Sequence, residues 1–311
     1  MIKLGISSCL LGQRVRYDGG HKLDYFLRDG LKDRVEWVPV CPETECGLAV
    51  PREPMHLVAD ASGYRLRTVD SQRDYTELMR HYINRRVTQL SQSGLYGYVF
   101  KGKSPSCGLR EVPCYRPDGE AAGVAGGLFA EAVRRALPLL PVIDDASIHN
   151  VWLRETFGNQ ILTLRRWHQF VAADGSAAGL AEFNRRHRLL IMLHSPGMTP
   201  LLSYLVLHAT SDKLTATCEQ YFRTLMAVMA TPVSLRKHQK VLFFVFEELK
   251  NHLDNWERLE LQNMLHHLPE QPDTRSAVAA LLLHYIRKFR LADWLDQYYF
   301  QGGEQIFSPQ S

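Results

Sequence analysis

Residues 3–9 read KLGISSC, a short apolar run that ends in two serines and a cysteine. Four to six apolar residues bounded by small polar ones are typical of a buried β-strand. Three similar runs follow in the first half of the chain, and Tyr64–Val69 predicts an additional edge strand. The three runs predicted to be buried strands are Glu36–Val40, Tyr96–Phe100 and Leu139–Asp144.

Amphipathic segments with helical periodicity lie between these strands. The clearest are Asp74–Ser91 and Gly126–Leu137, and the capping residues Asp145-Ala146-Ser147 predict a further helix through Trp152. Strands that alternate with helices are typical of an α/β domain with a mainly parallel sheet. We therefore predict this fold class for the first half of the chain.

The second half of the chain has a different pattern. From Leu164 onward, apolar residues recur at intervals of three and four, and glycine is sparse inside the periodic segments. This pattern predicts an all-α bundle. A length of 311 residues also suits two domains of roughly 150 residues each. We predict an α/β N-terminal domain over residues 1–160 and an all-helical C-terminal domain over residues 161–311.

Composition restricts the class of protein. Hydrophobic residues make up 45% of the chain and charged residues 23%, which is typical of a globular protein with a proper core. The first residues lack the pattern of a signal peptide, and no apolar run approaches the roughly 20 residues of a membrane span. We expect a soluble, cytoplasmic protein whose six cysteines are not disulfide-bonded. A net charge of +4 neither indicates nor excludes a nucleic-acid partner.

Three of the cysteines each follow a predicted strand: Cys9, Cys41 and Cys107. Because the carboxyl ends of parallel strands meet at one edge of a sheet, these residues are expected to converge. Three thiolates suit a soft metal or an iron–sulfur cluster, and three protein ligands leave one coordination position open, as catalytic sites do. The alternative is three small buried residues, since free cysteine is commonly buried.

The other cysteines have no comparable position. Cys218 lies in a predicted helix of the second half and is expected to be a core residue. Cys46 and Cys114 are also interpreted as buried residues, although both lie near enough in sequence to act as additional ligands. Their roles stay open at this point.

Both halves of the chain resemble known families. Residues 1–155 resemble the DUF523, or thiouracil desulfidase, family, and the second half resembles the DUF1722 domain. The first resemblance rests on Ser8–Gly12, Arg16–Gly19, Cys41–Glu43 with Gly47-Leu48 and Pro51-Arg52, and Ser104–Gly108. The second rests on His187-Arg188, Leu193–Pro196, Arg236–Lys240 and Trp294–Phe300.

The resemblance implies an activity and a cofactor. Desulfidases of this family carry a [4Fe-4S] cluster on three cysteines, which match Cys9, Cys41 and Cys107. The open iron binds the sulfur of a thiolated pyrimidine, and water replaces that sulfur without net redox chemistry. Proteins with the DUF1722 extension resemble enzymes that act on 4-thiouridine in tRNA, which makes the helical half a tRNA-binding domain. The chain departs from many relatives at Val15, where they have cysteine, and at Cys46, where they have glycine.

Two further residues of the first half are candidate catalytic groups. Glu43, two residues after Cys41, is predicted to be the base that activates water, a role worth roughly 10²–10⁴ in rate. Ser104 matches the family's other catalytic position and is expected to relay a proton. The alternatives are a solvated loop carboxylate for Glu43 and a turn residue for Ser104. Lys101 and Lys103 are interpreted as phosphate contacts or as ordinary surface lysines.

Basic residues in the second half are candidate tRNA contacts. Phosphates require cations, and neighbouring aromatic side chains can stack on unpaired bases. A solvated helix face is the alternative for each run of arginines. The candidates are Arg165, Arg166, Arg185, Arg186 and Arg188.

These observations support one leading hypothesis and two alternatives. The leading hypothesis is an iron–sulfur desulfidase that converts 4-thiouridine in tRNA to uridine. One alternative is a desulfidase of free thiouracil bases, and the other is a non-catalytic interaction protein with structural zinc on the cysteines. A dinucleotide-binding enzyme is disfavoured, because no G-x-G-x-x-G motif follows the first strand.

Overall fold

The structure is a computed structural model that describes residues 1–60, 63–173, 175–210, 212–301 and 304–307. The chain divides into two compact units. The first comprises Met1–Arg154 with the C-terminal segment that begins at Ile306, and the second comprises Glu155–Gln305. None of the helices in the described residues has the length and apolar character needed to cross a membrane.

The first unit contains eight described strands, which form two four-stranded sheets. They are β1 (Ile2–Ser7), β2 (Val35–Val40), β3 (Met55–Asp60), β4 (Gly63–Thr68), β5 (Tyr98–Phe100), β6 (Val112–Tyr115), β7 (Ala121–Ala125) and β8 (Val142–Asp144). One sheet has the order β2-β1-β5-β8, and all of its neighbouring strands run parallel. The prediction of an α/β unit with a parallel sheet is therefore confirmed.

The second sheet was only partly predicted. Its order is β4-β3-β6-β7, with two antiparallel hairpins joined by the parallel pair β3–β6. The predicted edge strand at Tyr64–Val69 corresponds to β4, but β3, β6 and β7 were missed. β6 is four residues long and contains Pro113, and β7 is a run of small residues that is mostly exposed. Neither has the apolar alternation that identifies a strand from sequence.

Four helices complete the first unit: α1 (Tyr25–Arg28), α2 (Pro42–Glu45), α3 (Thr76–Ser91) and α4 (Leu128–Ala136). The two longer helices bury Met79 and Ile83 of α3 and Phe129 of α4 in a core that they share with both sheets. Within this core the rings of Tyr98 and Phe100 stack with centroids 4.0 Å apart. The site-bearing strand β5 is thus completely buried.

The second unit is helical throughout its described residues, as predicted. Its helices are α5 (Val151–Ala173, which begins in the first unit), α6 (Ala177–His194), α7 (Thr199–Leu207), α8 (Leu214–Met229), α9 (Leu235–Leu249), α10 (Asn255–His267), α11 (Arg275–Lys288) and α12 (Ala292–Leu295). A short 3-10 helix, Tyr298–Gln301, follows α12, and a last helix, α13, spans Glu304–Phe307. Residue 160, the predicted domain boundary, lies inside α5. At the core of the unit, Trp167 stacks on Phe222 with ring centroids 4.4 Å apart.

The packing of β1 on β5 yields a stability prediction. A Cβ atom on Gly5 would lie 2.1 Å from Cδ2 of the fully buried Tyr98, whose ring cannot move away from Phe100. Gly5→Ala should therefore destabilise the first unit by about 1–3 kcal/mol. At roughly 2–4 °C per kcal/mol, thermal unfolding followed by circular dichroism should show a clear drop in midpoint. Gly197→Ala is the control, since no atom lies within 4 Å of its added Cβ. Equal midpoints for the two variants would contradict this packing.

Candidate metal centre

The three predicted metal ligands lie at the ends of three adjacent strands. Cys9 is in the short 3-10 helix Ser8–Leu11 after β1, Cys41 is the N-cap of α2 after β2, and Cys107 is in the loop after β5. All three line one cavity of about 380 Å³ in the first unit. Glu43, Ser104, Lys101 and Lys103 line the same cavity.

Cys41 is held by its backbone. Its N–H donates to Glu45 Oε1 at 2.9 Å, so that the first turn of α2 closes over the cysteine. The other oxygen of Glu45 accepts the hydroxyl of Tyr82 from α3 at 2.6 Å and pairs with Arg86 at 3.4 Å. The long helix of the unit therefore supports the turn that presents Cys41.

Cys107 is held by a tight loop. Ser104 Oγ accepts the backbone N–H groups of Ser106 at 3.3 Å and of Cys107 at 3.1 Å. Gly127 packs directly on this loop, because an added Cβ would lie 2.6 Å from the carbonyl group of Ser106. The Gly127 N–H also donates to Gly108 O at 2.7 Å. Close backbone packing therefore fixes the position of Cys107.

The surroundings of the thiols favour their pairing with a cationic centre. Burial, and then the neighbouring Cys41, raises the pKa of Cys9 to about 11. The same causes raise the pKa of Cys107 well above its ordinary value, and burial raises the pKa of Cys41. Three thiolates can share this buried space only when positive charge lies between them, as the irons of a cluster would supply. The donor set therefore fits a metal–sulfur cluster.

The three cysteines are candidate ligands because they line one cavity. In the part of the chain that the structure describes, no three His, Cys, Asp or Glu side chains are arranged to hold a single metal ion.

Glu43 is fixed by two residues that sequence analysis did not assign. Its Oε1 accepts the hydroxyl of the fully buried Ser106 at 3.0 Å, and its Oε2 accepts Nε of Arg52 at 3.0 Å as well as Nη2 of the same residue. Arg52 also donates to Val15 O at 3.0 Å. Both Arg52 and Ser106 belong to the quoted motifs, but only the structure shows that they converge on one carboxylate.

The cationic residues of the cavity differ in their pairing. Lys101 Nζ forms an ion pair with Asp145 at 2.8 Å, whereas Lys103 is exposed and has no ion-pair partner among the described residues. Arg16 lines the cavity and reaches Asp18 at 3.4 Å. Its Nε is buried without a hydrogen-bond partner in the described part of the chain. Arg16 and Lys103 therefore have unused hydrogen-bonding capacity.

The remaining cysteines lie outside the cavity lining. Cys46 packs against the core of the first unit, and its thiol donates to Glu43 O at 3.1 Å. Cys114 is buried in the same core on β6, and Cys218 is half-buried on α8. Their placement agrees with the interpretation of these residues as packing groups.

The predicted tRNA contacts lie on two helices of the second unit. Arg165 is exposed on α5, while Arg166 and its counterpart Arg186 on α6 both contact the ring of Tyr298. Arg185 is engaged by Glu182, with two contacts of 2.7 Å. Arg188 lies over the rings of Phe244 and Trp294, at 5.4 and 5.2 Å from their centres.

Comparisons with known proteins match the two halves of the chain separately. A family model described as 2-thiouracil desulfurase matches residues 4–145, and one described as a protein of unknown function, DUF1722, matches residues 188–302. The uncharacterized protein YbbK of Bacillus subtilis (strain 168) is 31% identical over 108 residues, which are 33% of this chain and 71% of YbbK. A solved structure of the [4Fe-4S]-dependent thiouracil desulfidase TudS is 27% identical, with a TM-score of 0.39. That match covers 50% of this chain and 97% of TudS.

The placement of the cysteines yields a metal-binding prediction. After anaerobic reconstitution with iron and sulfide, Cys9→Ala, Cys41→Ala and Cys107→Ala should each lose most of the bound iron and the visible absorbance, because each removes a cavity thiolate. Cys46→Ala is the matched control and should retain the iron and the absorbance, since the thiol of Cys46 donates a hydrogen bond to a backbone carbonyl and does not line the cavity. The measurement is iron and acid-labile sulfide per chain. An equal loss in Cys46→Ala would show that the ligand set is different.

Proposed function

The chain belongs to the 2-thiouracil desulfurase family, and we propose that it hydrolyses 4-thiouridine in tRNA to uridine. In this reaction the C=S bond of the base is replaced by C=O, water supplies the oxygen, and sulfur leaves as hydrosulfide with one proton released. No electrons are gained or lost, so the reaction requires neither oxidant nor reductant. The observation that carries the proposal is the single cavity lined by three cysteines and Glu43.

Cys9, Cys41 and Cys107 are the residues that would hold a [4Fe-4S] cluster in this cavity. When bound by three thiolates, such a cluster offers one iron without a protein ligand, which acts as a Lewis acid toward the soft sulfur of a thiocarbonyl group. The protein supplies the cavity that these three thiols line. It also supplies the groups that move protons.

Glu43 is proposed to take a proton from the attacking water. Its Oε2 is occupied by Arg52, whereas Oε1 accepts one hydrogen bond, from Ser106, and retains a second lone pair. The pairing with Arg52 and Ser106 fixes the carboxylate in one orientation at the cavity wall. A base held in this way transfers protons without first having to be ordered.

Ser104 is proposed to donate a hydrogen bond to the pyrimidine. Because its oxygen already accepts two backbone N–H groups, its own proton is available to an acceptor in the cavity. Arg16 offers a second donor, since a buried Nε without a partner is stabilised by an acceptor such as a pyrimidine carbonyl oxygen. Lys103, exposed and unpaired among the described residues, is suited to the phosphate of a nucleotide.

The nature of the substrate distinguishes two versions of this function. The family description refers to 2-thiouracil, a free base. The version with tRNA is supported by Arg166 on α5 and Arg186 on α6, two cations that contact one aromatic ring in the helical unit.

A substrate assay tests the proposal. Anaerobically reconstituted protein should convert 4-thiouridine in tRNA to uridine and release an equal amount of sulfide, and Cys107→Ala should do neither. Both products can be measured by mass spectrometry of digested tRNA and by a colorimetric sulfide assay. Conversion of free 4-thiouracil or 2-thiouracil with no reaction on tRNA would replace the tRNA substrate by the free base. No reaction on any of these with full iron loading would contradict the enzyme function itself.

A second prediction concerns Glu43. Glu43→Gln should lower kcat by roughly 10²–10⁴-fold, because an amide can still accept the hydrogen bond of Arg52 but cannot take a proton. Iron content should stay unchanged, which separates catalysis from cluster binding. Glu36→Gln on β2 is the matched control and should leave kcat unaltered, because the side chain of Glu36 is exposed and pairs with Lys3 outside the cavity. A loss of less than about fivefold in Glu43→Gln would remove Glu43 from the role of base.

A further inference from the structure

A second cavity, of about 310 Å³, lies in the helical unit, and its lining includes one arginine from α5, Arg166, and one from α6, Arg186. The guanidinium carbon of Arg166 on α5 lies 3.7 Å from the centre of the Tyr298 ring, and that of Arg186 on α6 lies 4.3 Å from it. Both distances are within the range of cation–π interaction. One aromatic ring therefore contacts two cations of like charge.

The position of Tyr298 is set by the preceding residue. Gln297 is buried, and its side-chain amide accepts the N–H of Leu189 at 3.1 Å and donates to Arg185 O at 2.8 Å. These two backbone groups are the pair that an uninterrupted helix would bond to each other. The amide is thus inserted into the hydrogen-bond ladder of α6, and it anchors the 3-10 helix that carries Tyr298.

The two cations lack a carboxylate partner. Within the described ranges of the chain, neither Arg166 nor Arg186 forms an ion pair, and the contact of Arg186 Nε with Asp296 O measures 3.4 Å. Glu182 also lines the cavity, but both of its oxygens accept hydrogen bonds from Arg185 at 2.7 Å. Glu182 thus offsets part of the charge of Arg186 from a distance, but among the described residues no carboxylate is bonded directly to either Arg166 or Arg186.

These surroundings lower the pKa of Arg166. Burial lowers the pKa of its guanidinium to about 10, and the nearby cations Arg186 and Arg165 act in the same direction against the opposing effect of Tyr298. The group still carries its charge at neutral pH. A half-buried cation that is disfavoured by its surroundings is stabilised when an anion binds beside it.

We propose that Arg166, Tyr298 and Arg186 form a binding site for a phosphate group, and that its occupant is a backbone phosphate of tRNA. Two guanidinium groups offer planar sets of N–H donors that match the oxygens of a phosphate, and an adjacent aromatic ring keeps them in place. The choice of tRNA as the source of this phosphate rests on the proposed function. The phosphate site adds to that function a defined cavity where tRNA is bound. Arg165, although adjacent in sequence, is exposed on α5 and does not line this cavity.

The experiment compares Arg166→Gln with Arg165→Gln in the full chain. Binding of a fluorescently labelled tRNA transcript is measured by anisotropy over a range of salt concentrations. Arg166→Gln should weaken binding at least about tenfold and reduce the salt slope by about one, whereas Arg165→Gln, with the same loss of charge, should change Kd less than about threefold. Equal effects of the two substitutions would mean diffuse attraction to the helix surface and would overturn the site.

Two further arms keep the result interpretable. Arg186 lines the cavity from α6, so Arg186→Gln should reproduce the effect of Arg166→Gln. The thermal midpoint of each variant reports whether it is folded.

Inorganic phosphate is the probe for the alternative occupant, a small phosphate compound. If phosphate at low millimolar concentration raises the midpoint of the wild type but not of Arg166→Gln, and tRNA binding is equal in the two proteins, the occupant is a small phosphate compound and the tRNA assignment is wrong.

Turnover assays distinguish an error in the proposed function from an error in the phosphate site. Turnover of free 4-thiouridine should be the same in Arg166→Gln and in wild type, because Arg166 does not line the cysteine cavity. Loss of turnover confined to tRNA supports the phosphate site. Absence of turnover on every substrate by the wild type, with selective loss of tRNA binding in Arg166→Gln, would contradict the desulfidase function and leave the phosphate site supported.

Discussion

The functional cavity depends on the parallel pairing of β1 with both of its neighbours. Ser7 is in register with Val40, and Ile6 is in register with Val99, so β1, β2 and β5 end at one edge of the sheet. Cys9 and Cys41 lie just after β1 and β2, whereas Cys107 lies in the loop after β5 that Ser104 and Gly127 hold in place. The sheet therefore brings the three segments together, and the loop completes the position of Cys107.

Packing outside the sheet fixes the turn that carries Cys41 and the loop that carries Cys107. Glu45 and Tyr82 connect the turn of Cys41 to α3, and Gly127 closes on the loop that carries Cys107. A catalytic constellation requires support of this kind, since small displacements of a reacting group cost rate. The packing of the first unit therefore also fixes the positions of the cysteines that line the cavity.

Much of this arrangement could be predicted from sequence, because apolar runs and the cysteines after them are local signals. The four strands of the parallel sheet were found in this way, and with them the convergence of Cys9, Cys41 and Cys107. The pairing of Glu43 with Ser106 could not be found, because it joins segments that are distant in sequence. The pairing with Arg52 is closer in sequence, but it depends on the path of the irregular chain between α2 and β3, which has no periodic signal. Tyr298 is likewise distant in sequence from Arg166 and Arg186, and it reaches them only through the insertion of Gln297 into α6.

The central claim is that three thiolates from three strand ends hold a cluster with one iron left open to a thiolated base. Mössbauer spectroscopy of anaerobically reconstituted protein, enriched in the Mössbauer-active isotope of iron, tests it most directly. The account predicts one iron that is distinguishable from the others and whose signal changes on addition of 4-thiouracil but not of uracil. A spectrum that is unaffected by 4-thiouracil, or one in which all irons are equivalent, would contradict it.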